Sequence, residues 1–516
     1  MKKLLLPILL LIANLVYGQQ EKLDINAFDK IKQAELSSSQ IPYIAHQLTD
    51  VAGPRLTGSP GFKRAADWAV ATMKQWGLVN AKLESWGDFG KQWELQDFSL
   101  YMRKPYTQPL RAFAEPWSYN TNGTITGGVV LIPVESMLDS NYFIKHSSEF
   151  AGKFVLLTLN HENTDDFFKP VATRLADTTL ANMQETYMIS RSQMDGYMNY
   201  FKIFHANDRI LKQSGALALI EADAGSINGT VVVQTYYGYK TTEPVTIPRV
   251  SIAQEDALRI KRDVESGEKV ELSLNLWAKT STDETKGYNV VAEIPGSDPT
   301  LKSQLVMLGG HLDSWEASTG ATDNAAGCIV MMEAVRLLDS LHLKPKRTIR
   351  IALWGGEEQG LVGSYNYVKN HFMDGQTFAL KPEQSKVSVY FNLDNGTGKI
   401  RGIYAQGNTA AKPIFDNWFK PFHDLGAATV TLKNTGSTDH LSFDWAGIPG
   451  FEFIQDPIDY DNRTHHSNID DYDHLQMDDL KQAAIIVASF IYQASNRPDM
   501  FPRKPIVKEK FIFDGF

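Results

Sequence analysis

The feature that most constrains the fold is an alternation of apolar strands and helices between about residue 287 and residue 505. Nearly continuous apolar runs, which are typical of strands buried on both faces, occur in NVVAEIPG, QLVMLGG, TIRIALWGG, VSVYFNL and IRGIYAQG. Stretches with helical period and length lie between and after them, including NAAGCIVMMEAVRLLDSL and DHLQMDDLKQAAIIVASFIYQAS. This succession predicts an α/β domain in which helices flank a mostly parallel central sheet.

The chain outside these strands divides into further parts. Residues 106–284 change to short β-branched runs such as GGVVLIP, GKFVLLTL and GTVVVQTY, which predict a compact α+β domain inserted into the first one. Residues 19–105 have no large strand set, so we expect them to pack on the outside of the α/β domain, which resumes over residues 285–516. The polar, Met-rich stretch 165–204 is interpreted as an excursion or lid.

The N-terminus has the pattern of a secretory signal peptide. Residues 1–18 are MKKLLLPILLLIANLVYG, a basic start followed by an apolar run too short to span a bilayer and then by a small residue. We expect this segment to be cleaved and the protein to be exported to the periplasm or the extracellular space. No later stretch approaches the roughly 20 apolar residues of a spanning helix, so no membrane span is predicted.

Composition excludes several kinds of partner and site. A formal net charge of -9 and a pI near 5.8 argue against a nucleic-acid partner, because phosphate binding needs clustered Lys and Arg. Cys328 is the only cysteine, so neither an internal disulfide nor a zinc site made of cysteine thiolates can form. Any metal must therefore be bound by histidine and carboxylate side chains.

Ionisable side chains follow the predicted strands at the point where each strand ends. The runs QLVMLGG, TIRIALWGG and VSVYFNL are each followed by acidic residues or histidine, another Asp begins a helix, and a second histidine follows FEFIQDP. In chain order the candidates are His311, Asp313, Asp323, Glu357, Glu358, Asp394 and His466. Because sheets of this kind bind ligands at the carboxyl ends of their strands, we expect these side chains to lie together.

Each of these residues alone has an ordinary explanation. His311 could be a satisfied polar residue, Asp323 could cap the helix that follows it, and the pair Glu357–Glu358 could belong to a solvated loop. Asp394 could form an ordinary turn. Their joint occurrence instead favours a bound cation, because buried strands rarely end in so many ionisable groups without one.

The ligand types suit two zinc ions. Two metal ions about 3.5–4 Å apart need a bridging carboxylate, and Asp323 is the natural bridge because it lies between His311 and the Glu pair in the chain. His311 and Asp394 would complete one ion, and Glu358 and His466 the other. Imidazole and carboxylate ligands without thiolate favour zinc over manganese or cobalt.

The neighbouring residues receive other roles. Asp313 lies two residues beyond His311 on the same strand face and can accept the ring proton of that histidine. Glu357 is free to take a proton from a metal-bound water and pass it to a leaving amine, so the implied reaction is metal-assisted hydrolysis of an acyl bond. His465 is an alternative ligand to His466, which we prefer because it directly precedes a Ser-x-x-Asp turn.

These motifs resemble a known family. GGHLDSW, GATDNAAG, WGGEEQGLVGS, FNLDNG and HHSNID, in that order, are similar to the motifs of the co-catalytic zinc exopeptidases, which include bacterial leucyl aminopeptidase, glutamate carboxypeptidase II and carboxypeptidase Q. The early GPRLTGSPGFKRAADWA resembles the carboxypeptidase Q-like branch. Residues 106–284, ending in TIPRVSIAQEDALRI, look like the protease-associated domain that is inserted in several members.

The resemblance implies a zinc peptidase fold for residues 19–105 and 285–516. It also implies the same metal site that the ligand types indicated. It implies two zinc ions on the five ligands named above, Glu357 as proton acceptor and Asp313 as a supporting active-site Asp. It also implies a cis peptide bond after the bridging carboxylate, at Asp323–Asn324.

The expected function is that of an exported zinc-dependent exopeptidase, an aminopeptidase or dipeptidase, that uses a metal-bound hydroxide to hydrolyse a peptide or dipeptide substrate. The alternatives are a carboxypeptidase or glutaminyl cyclase of the same fold, and a catalytically inactive receptor-like binding protein. The loop GSTDHLSFDWAGIPG stands where related enzymes carry a pocket-lining loop, so Asp439 or His440 is predicted to meet a substrate terminus. The oligomeric state is open, and a homodimer is the assembly to test.

Overall fold

The structure, a computed structural model, describes residues 21–159, 168–183, 188–243 and 247–514. The predicted signal peptide, residues 1–18, lies outside these ranges.

The strands are β1 (Val79–Asp88), β2 (Gln92–Lys104), β3 (Gln108–Pro109), β4 (Ala112–Ala114), β5 (Ile125–Pro133), β6 (Lys153–Thr158), β7 (Ala218–Glu221), β8 (Arg249–Ile252), β9 (Glu271–Ser281), β10 (Lys286–Ile294), β11 (Leu305–His311), β12 (Thr348–Trp354), β13 (Val387–Asn392), β14 (Ile400–Tyr404), β15 (Thr429–Thr431) and β16 (Gly450–Gln455). The α-helices are α1 (Ile25–Ser38), α2 (Ile41–His46), α3 (Pro60–Trp76), α4 (Ser140–Lys145), α5 (Asp177–Ala181), α6 (Arg191–Gln213), α7 (Gln254–Glu265), α8 (Ala326–Ser340), α9 (Val362–His371), α10 (Lys412–Trp418), α11 (His440–Trp445) and α12 (Met477–Asn496).

The first of two eight-stranded sheets forms the centre of the α/β domain, with strand order β1-β10-β12-β11-β13-β16-β14-β15. Its four central strands, β12, β11, β13 and β16, run parallel to one another. Strands β1, β10 and β14 join through antiparallel pairings. The α/β class is therefore confirmed. Of the runs that the sequence marked as buried, three form the parallel strands β11, β12 and β13, whereas β10 pairs antiparallel with β12 and β14 pairs antiparallel with β16.

Helices cover both faces of this sheet, which explains why its central strands are apolar throughout. Within β11, Val306 and Leu308 pack into a core with α1, α2, α3, α8 and α12. The alternate residues Leu305 and Met307 pack into a second core with α9 and α11 on the opposite face. Because successive side chains of a strand point to opposite faces, a strand covered on both sides must be apolar at every position.

The second sheet has the order β3-β2-β9-β5-β6-β7-β8-β4 and runs parallel from β5 to β8. It begins earlier in the chain than the expected boundary at residue 106, because β2 pairs with β9 along its length. The apolar side of β2, with Trp93, Leu100 and Met102, packs into the core of this sheet. Strand β1 belongs to the first sheet, so the chain passes from one sheet to the other between Asp88 and Gln92.

Across the four described ranges, no helix combines the length and the apolar character needed to cross a membrane.

Candidate metal centre

The predicted site residues lie together at the carboxyl ends of the central strands. Strand β11 ends at His311, Glu357 and Glu358 follow β12, and Asp394 follows β13. Because β11 pairs in parallel with both β12 and β13, these ends meet at one edge of the sheet. The loop after β16 brings His466 to the same place, where its ring approaches Glu358.

Asp323 lies between the two histidines. Its Oδ1 is 3.2 Å from Nε2 of His311, and its Oδ2 is 3.3 Å from Nε2 of His466. The peptide bond that follows it, Asp323–Asn324, is cis, as the resemblance implied. One carboxylate thus presents one oxygen to each histidine, which is the arrangement that a ligand shared by two cations requires.

Each histidine also faces a second carboxylate. Nε2 of His311 is 3.2 Å from Oδ1 of Asp394, and Nε2 of His466 is 3.0 Å from Oε2 of Glu358. Glu357 lies further away, with Oε2 at 3.9 Å from Nε2 of His311. The pairing of ligands that we predicted for each ion is therefore the pairing of nearest neighbours in the structure.

The geometry favours His466 over its neighbour His465 as a ligand. Nε2 of His465 is 3.7 Å from Oδ2 of Asp323, and 47% of its side chain is exposed. The side chain of His466 is only 14% exposed and contacts two carboxylates.

Asp313 supports the site in a different way from the one we expected. Its backbone carbonyl oxygen lies 3.0 Å from Nδ1 of His311, whereas its carboxylate is 3.6 Å away. The carbonyl is thus the nearer acceptor for the ring proton. The carboxylate accepts the backbone amides of Glu357 and Glu358, each at 3.3 Å, and therefore fixes the loop that carries both glutamates.

The site contains more buried acid than its histidines neutralise. Burial raises the pKa of Glu358 well above its ordinary value, and the charge of Asp323 adds to the effect. Burial also raises the pKa of Glu357, although the charge of His311 opposes it. For Asp323 the hydrogen bond from His311 and the charge of His466 outweigh burial, so its pKa is lowered. Such a site favours an added positive charge.

Two buried oxygens support a metal at this position. Oδ2 of Asp323 and Oε1 of Glu358 have no hydrogen-bond partner among the described residues. Two groups of ligand atoms each lie within 4.8 Å of one another, and Asp323 belongs to both; the groups are Asp323, His465 and His466, and His311, Asp323 and Glu358. Buried polar atoms normally have a partner, so the two oxygens indicate that a bound cation belongs here. The imidazole and carboxylate donors fit zinc.

Sequence reasoning gave no role to the segment GPRLTGSPG, which supports the site. Arg55 is fully buried, and its guanidinium donates to the carbonyl oxygens of Leu312 and Gly320 at 2.6 and 2.8 Å. The hydroxyl of Thr57 donates to Oδ2 of Asp313 at 2.8 Å. This segment therefore holds the loop that joins β11 to the bridging carboxylate.

Two further acids were also missed. Glu452 on β16 accepts the backbone amide of Asp394 at 2.8 Å, and a charged residue inside the apolar run FEFIQ is a signal that could have identified it. Asp470 accepts the backbone amides of Thr322 and Asp323 at 2.6 and 3.0 Å. These acids position the backbone of two ligand candidates.

The cluster opens into a cavity of about 380 Å³. The loop Gly436–Thr438 lines it, but Asp439 and His440 do not, and both side chains are fully buried. Burial raises the pKa of Asp439 to about 8 and lowers that of His440 to about 3. The prediction that one of these two side chains meets a substrate terminus is therefore wrong, because neither reaches the cavity.

Other walls of the cavity come from distant parts of the chain. Gln234 and Tyr236 reach it from the region of the second sheet, Ile189 from the segment before α6, and Phe513 from the C-terminal tail. Ile189 belongs to the stretch 165–204 that we interpreted as an excursion or lid. The other three had not been predicted, because no local pattern in the sequence marks a residue that reaches a site from a distant part of the chain.

Comparisons with known proteins agree with this geometry. Residues 289–491 match the model of peptidase family M28. The chain is 28% identical to carboxypeptidase Q of Mus musculus over 457 residues, which cover 88% of this chain and 86% of the relative. Among solved structures, a peptidase M28 precursor from Shewanella amazonensis is 26% identical, with a TM-score of 0.69 and coverage of 93% of this chain and 99% of the other. The zinc aminopeptidase BSAP from Bacillus subtilis shares the fold at 21% identity, with a TM-score of 0.56 and coverage of 90% and 97%.

Proposed function

We propose that this chain is a zinc-dependent aminopeptidase. The premise is that it is a metallo-exopeptidase with a peptidase family M28 domain over residues 289–491. The observation that carries the proposal is the position of Asp323, with one carboxylate oxygen directed to each of two histidines. The substrate class is peptides, including dipeptides, with a free N-terminus.

Five residues would hold two zinc ions, with Asp323 shared between them. His311 and Asp394 are the further ligands of one ion, and Glu358 and His466 those of the other. When bound, ions at such a site polarise the scissile carbonyl and lower the pKa of a water molecule. The buried oxygens of Asp323 and Glu358 that lack hydrogen-bond partners among the described residues support this assignment.

Glu357 is the proposed proton acceptor. It lines the cavity, and its backbone amide donates to the Asp313 carboxylate, which holds it beside the cluster. Its carboxylate is further from the His311 ring than the carboxylate of Asp394 is. It would take the proton of the attacking water and deliver it to the leaving amine nitrogen. The Asp313 carboxylate is a positioning group, because it accepts the backbone amides of Glu357 and Glu358 and so fixes the loop that carries them.

The charge of the cavity favours recognition of an amine over a carboxylate. Its described lining includes Asp323, Glu357, Glu358 and Asp394 but no Lys or Arg. Three of these carboxylates would be neutralised by zinc, but a C-terminal carboxylate would still lack a Lys or Arg to offset its burial, whereas a free amino group needs none. Carboxypeptidase action is the second candidate, since a relative that matches most of this chain is named carboxypeptidase Q.

Export is part of the same proposal. The basic and apolar pattern of residues 1–18 supports a cleaved signal peptide and a periplasmic or extracellular enzyme. Radiolabelled or tagged full-length chain, fractionated from an expressing bacterium, is expected in the periplasm or medium with a shortened N-terminus.

The central experiment combines metal content with substrate choice. Elemental analysis should find two zinc ions per chain, and aminoacyl anilides should be hydrolysed while N-blocked peptides are not. A chelator should abolish hydrolysis, and added zinc should restore it. Cleavage that resists the chelator would overturn the metal assignment, whereas a preference for N-blocked peptides would overturn only the aminopeptidase assignment.

A further inference from the structure

A segment of the second-sheet region lies directly along the loop that carries His466. The backbone amide of Val233 donates to the carbonyl oxygen of His466 at 2.9 Å. Residues Val232 and Ser467 form an antiparallel bridge. The amide of Asn468 donates to the carbonyl oxygen of Val231 at 3.1 Å, and its Oδ1 accepts the Val231 amide at 2.6 Å. This clamp joins two parts of the chain more than 200 residues apart.

The clamp holds His466 in an uncommon backbone conformation. Its φ is 56°, in the left-handed region that non-glycine residues rarely adopt. Such a conformation persists where the surrounding structure fixes it, and here the hydrogen bond from Val233 to the carbonyl of His466 does so. The direction of the imidazole ring therefore depends on contacts from the second-sheet region.

The ring of His466 has a different partner at each nitrogen. Nε2 faces Oε2 of Glu358 at 3.0 Å, and Nδ1 lies 2.8 Å from Oε1 of Gln234. A neutral imidazole carries one proton, so a histidine that binds a cation through Nε2 must carry its proton on Nδ1 and needs an acceptor there. The amide oxygen of Gln234 is that acceptor.

We propose that Gln234 is a positioning residue that orients His466 and sets the affinity of the site for the zinc ion shared by His466 and Glu358. This inference rests on the proposed function, because it concerns a ligand of the same metal centre. The region of the second sheet thereby contributes to metal retention through one hydrogen bond. The ion on the His311 side does not depend on Gln234, because the proton acceptor of His311 is the carbonyl of Asp313.

The test compares two substitutions of Gln234, one that removes the hydrogen-bond acceptor and one that keeps an acceptor and adds a negative charge. Gln234→Met keeps the length of the side chain but removes the acceptor, and Gln234→Glu keeps an acceptor. Loss of such an outer contact typically weakens metal binding about 10–100-fold. We therefore expect Gln234→Met to bind one of two zinc ions about 10–100-fold more weakly, and Gln234→Glu to bind both at least as tightly as the parent chain does. Gln376→Met, at an exposed glutamine, is the matched control.

The readout is zinc affinity by competition with a chromophoric chelator, together with zinc bound per chain, so it does not rely on turnover. Circular dichroism of the zinc-free chains should match for all variants, because the hydrogen bond is local. Equal zinc affinity in Gln234→Met and the parent would overturn the inference and leave the proposed function standing. Equal weakening in the Met and Glu variants would overturn it in favour of a packing role. A parent chain that binds no zinc would overturn the proposed function and, with it, this inference.

Discussion

Both sheets bury a cluster of acidic side chains, but each compensates the charge differently. In the second sheet, Arg249 contacts Glu115, Asp208 and Glu221 at 2.7, 3.1 and 2.9 Å. At the edge of the first sheet, the ligand candidates form their ion pairs with histidines, and two of their oxygens have no hydrogen-bond partner within the described chain.

The difference distinguishes a structural cluster from a binding site. Burial raises the pKa of Glu115 and of Asp208, and the charge of Arg249 opposes that rise, so the second sheet carries its own cation. At the edge of the first sheet the described lining of the cavity contains no Lys or Arg, and the buried Arg55 nearby donates to backbone carbonyls such as Leu312 and Gly320. Because an uncompensated buried charge is costly, a cluster that supplies no cation of its own is suited to take one from solution.

The largest expected effect comes from Glu357, the acid at the first-sheet edge to which we assign proton transfer. Glu357→Gln should lower kcat by about 10²–10⁴-fold, because general acid–base catalysis contributes that much. Zinc content should stay unchanged, since the ligand candidates are intact. Hydrolysis of an aminoacyl anilide and elemental analysis measure the two quantities, with Glu268→Gln at an exposed position as control. Full turnover in Glu357→Gln would remove the proposed proton acceptor.

The second prediction removes the cation of the other cluster. Arg249→Met should lower the free energy of unfolding by about 3–5 kcal/mol, because it leaves a buried group of acids without its partner. Urea unfolding measures this loss, and the folded fraction should still bind zinc. The control Lys261→Met breaks a more exposed pair with Glu265 and should cost about 1 kcal/mol or less.

If Arg249→Met does not fold, a compensated variant keeps the comparison testable. Adding Glu115→Gln and Asp208→Asn removes two of the acids that Arg249 contacts, so stability should recover in part. A triple variant that is no more stable than Arg249→Met would show that the arginine acts through packing rather than through charge.

The smallest expected effect concerns a pair of acids outside both clusters, Glu35 on α1 and Glu333 on α8. Burial, strengthened by Glu333, raises the pKa of Glu35 from an ordinary value of 4.5 to about 8. Between these two pH values the folded chain keeps the proton of Glu35 and the unfolded chain loses it. The contribution of Glu35 to the free energy of unfolding is therefore fully present below about pH 4.5 and falls as the pH rises towards 8. The slope should be at most about 1.4 kcal/mol per pH unit.

Thermal unfolding between pH 5 and 8 measures this slope. Glu35→Gln should flatten it, because a neutral amide does not titrate in this range. The same slope in both chains would assign the pH dependence to other groups.

Much of the fold followed from local pattern. The apolar runs that became β11, β12 and β13 were recognisable because strands covered on both faces are apolar at every position. Their polar ends were recognisable because parallel strands carry their ligands at one edge. Strand β2 lies within residues 19–105, which we expected on the outside of the α/β domain, but it belongs to the second sheet, since an amphipathic strand does not reveal which sheet will cover its apolar side.

The sequence by itself determined which residue types are available for the site, and the order of its motifs indicated their family. A single cysteine left only imidazole and carboxylate as metal ligands. The strand ends identified His311 and Glu358 among them, and the start of a helix identified Asp323. Only the tertiary structure decided the contacts of Gln234 with His466 and the burial of Asp439 and His440. The physical reason is distance along the chain. Periodicity and spacing report what a residue does within its own element, whereas contacts between the two sheets depend on how the whole chain packs.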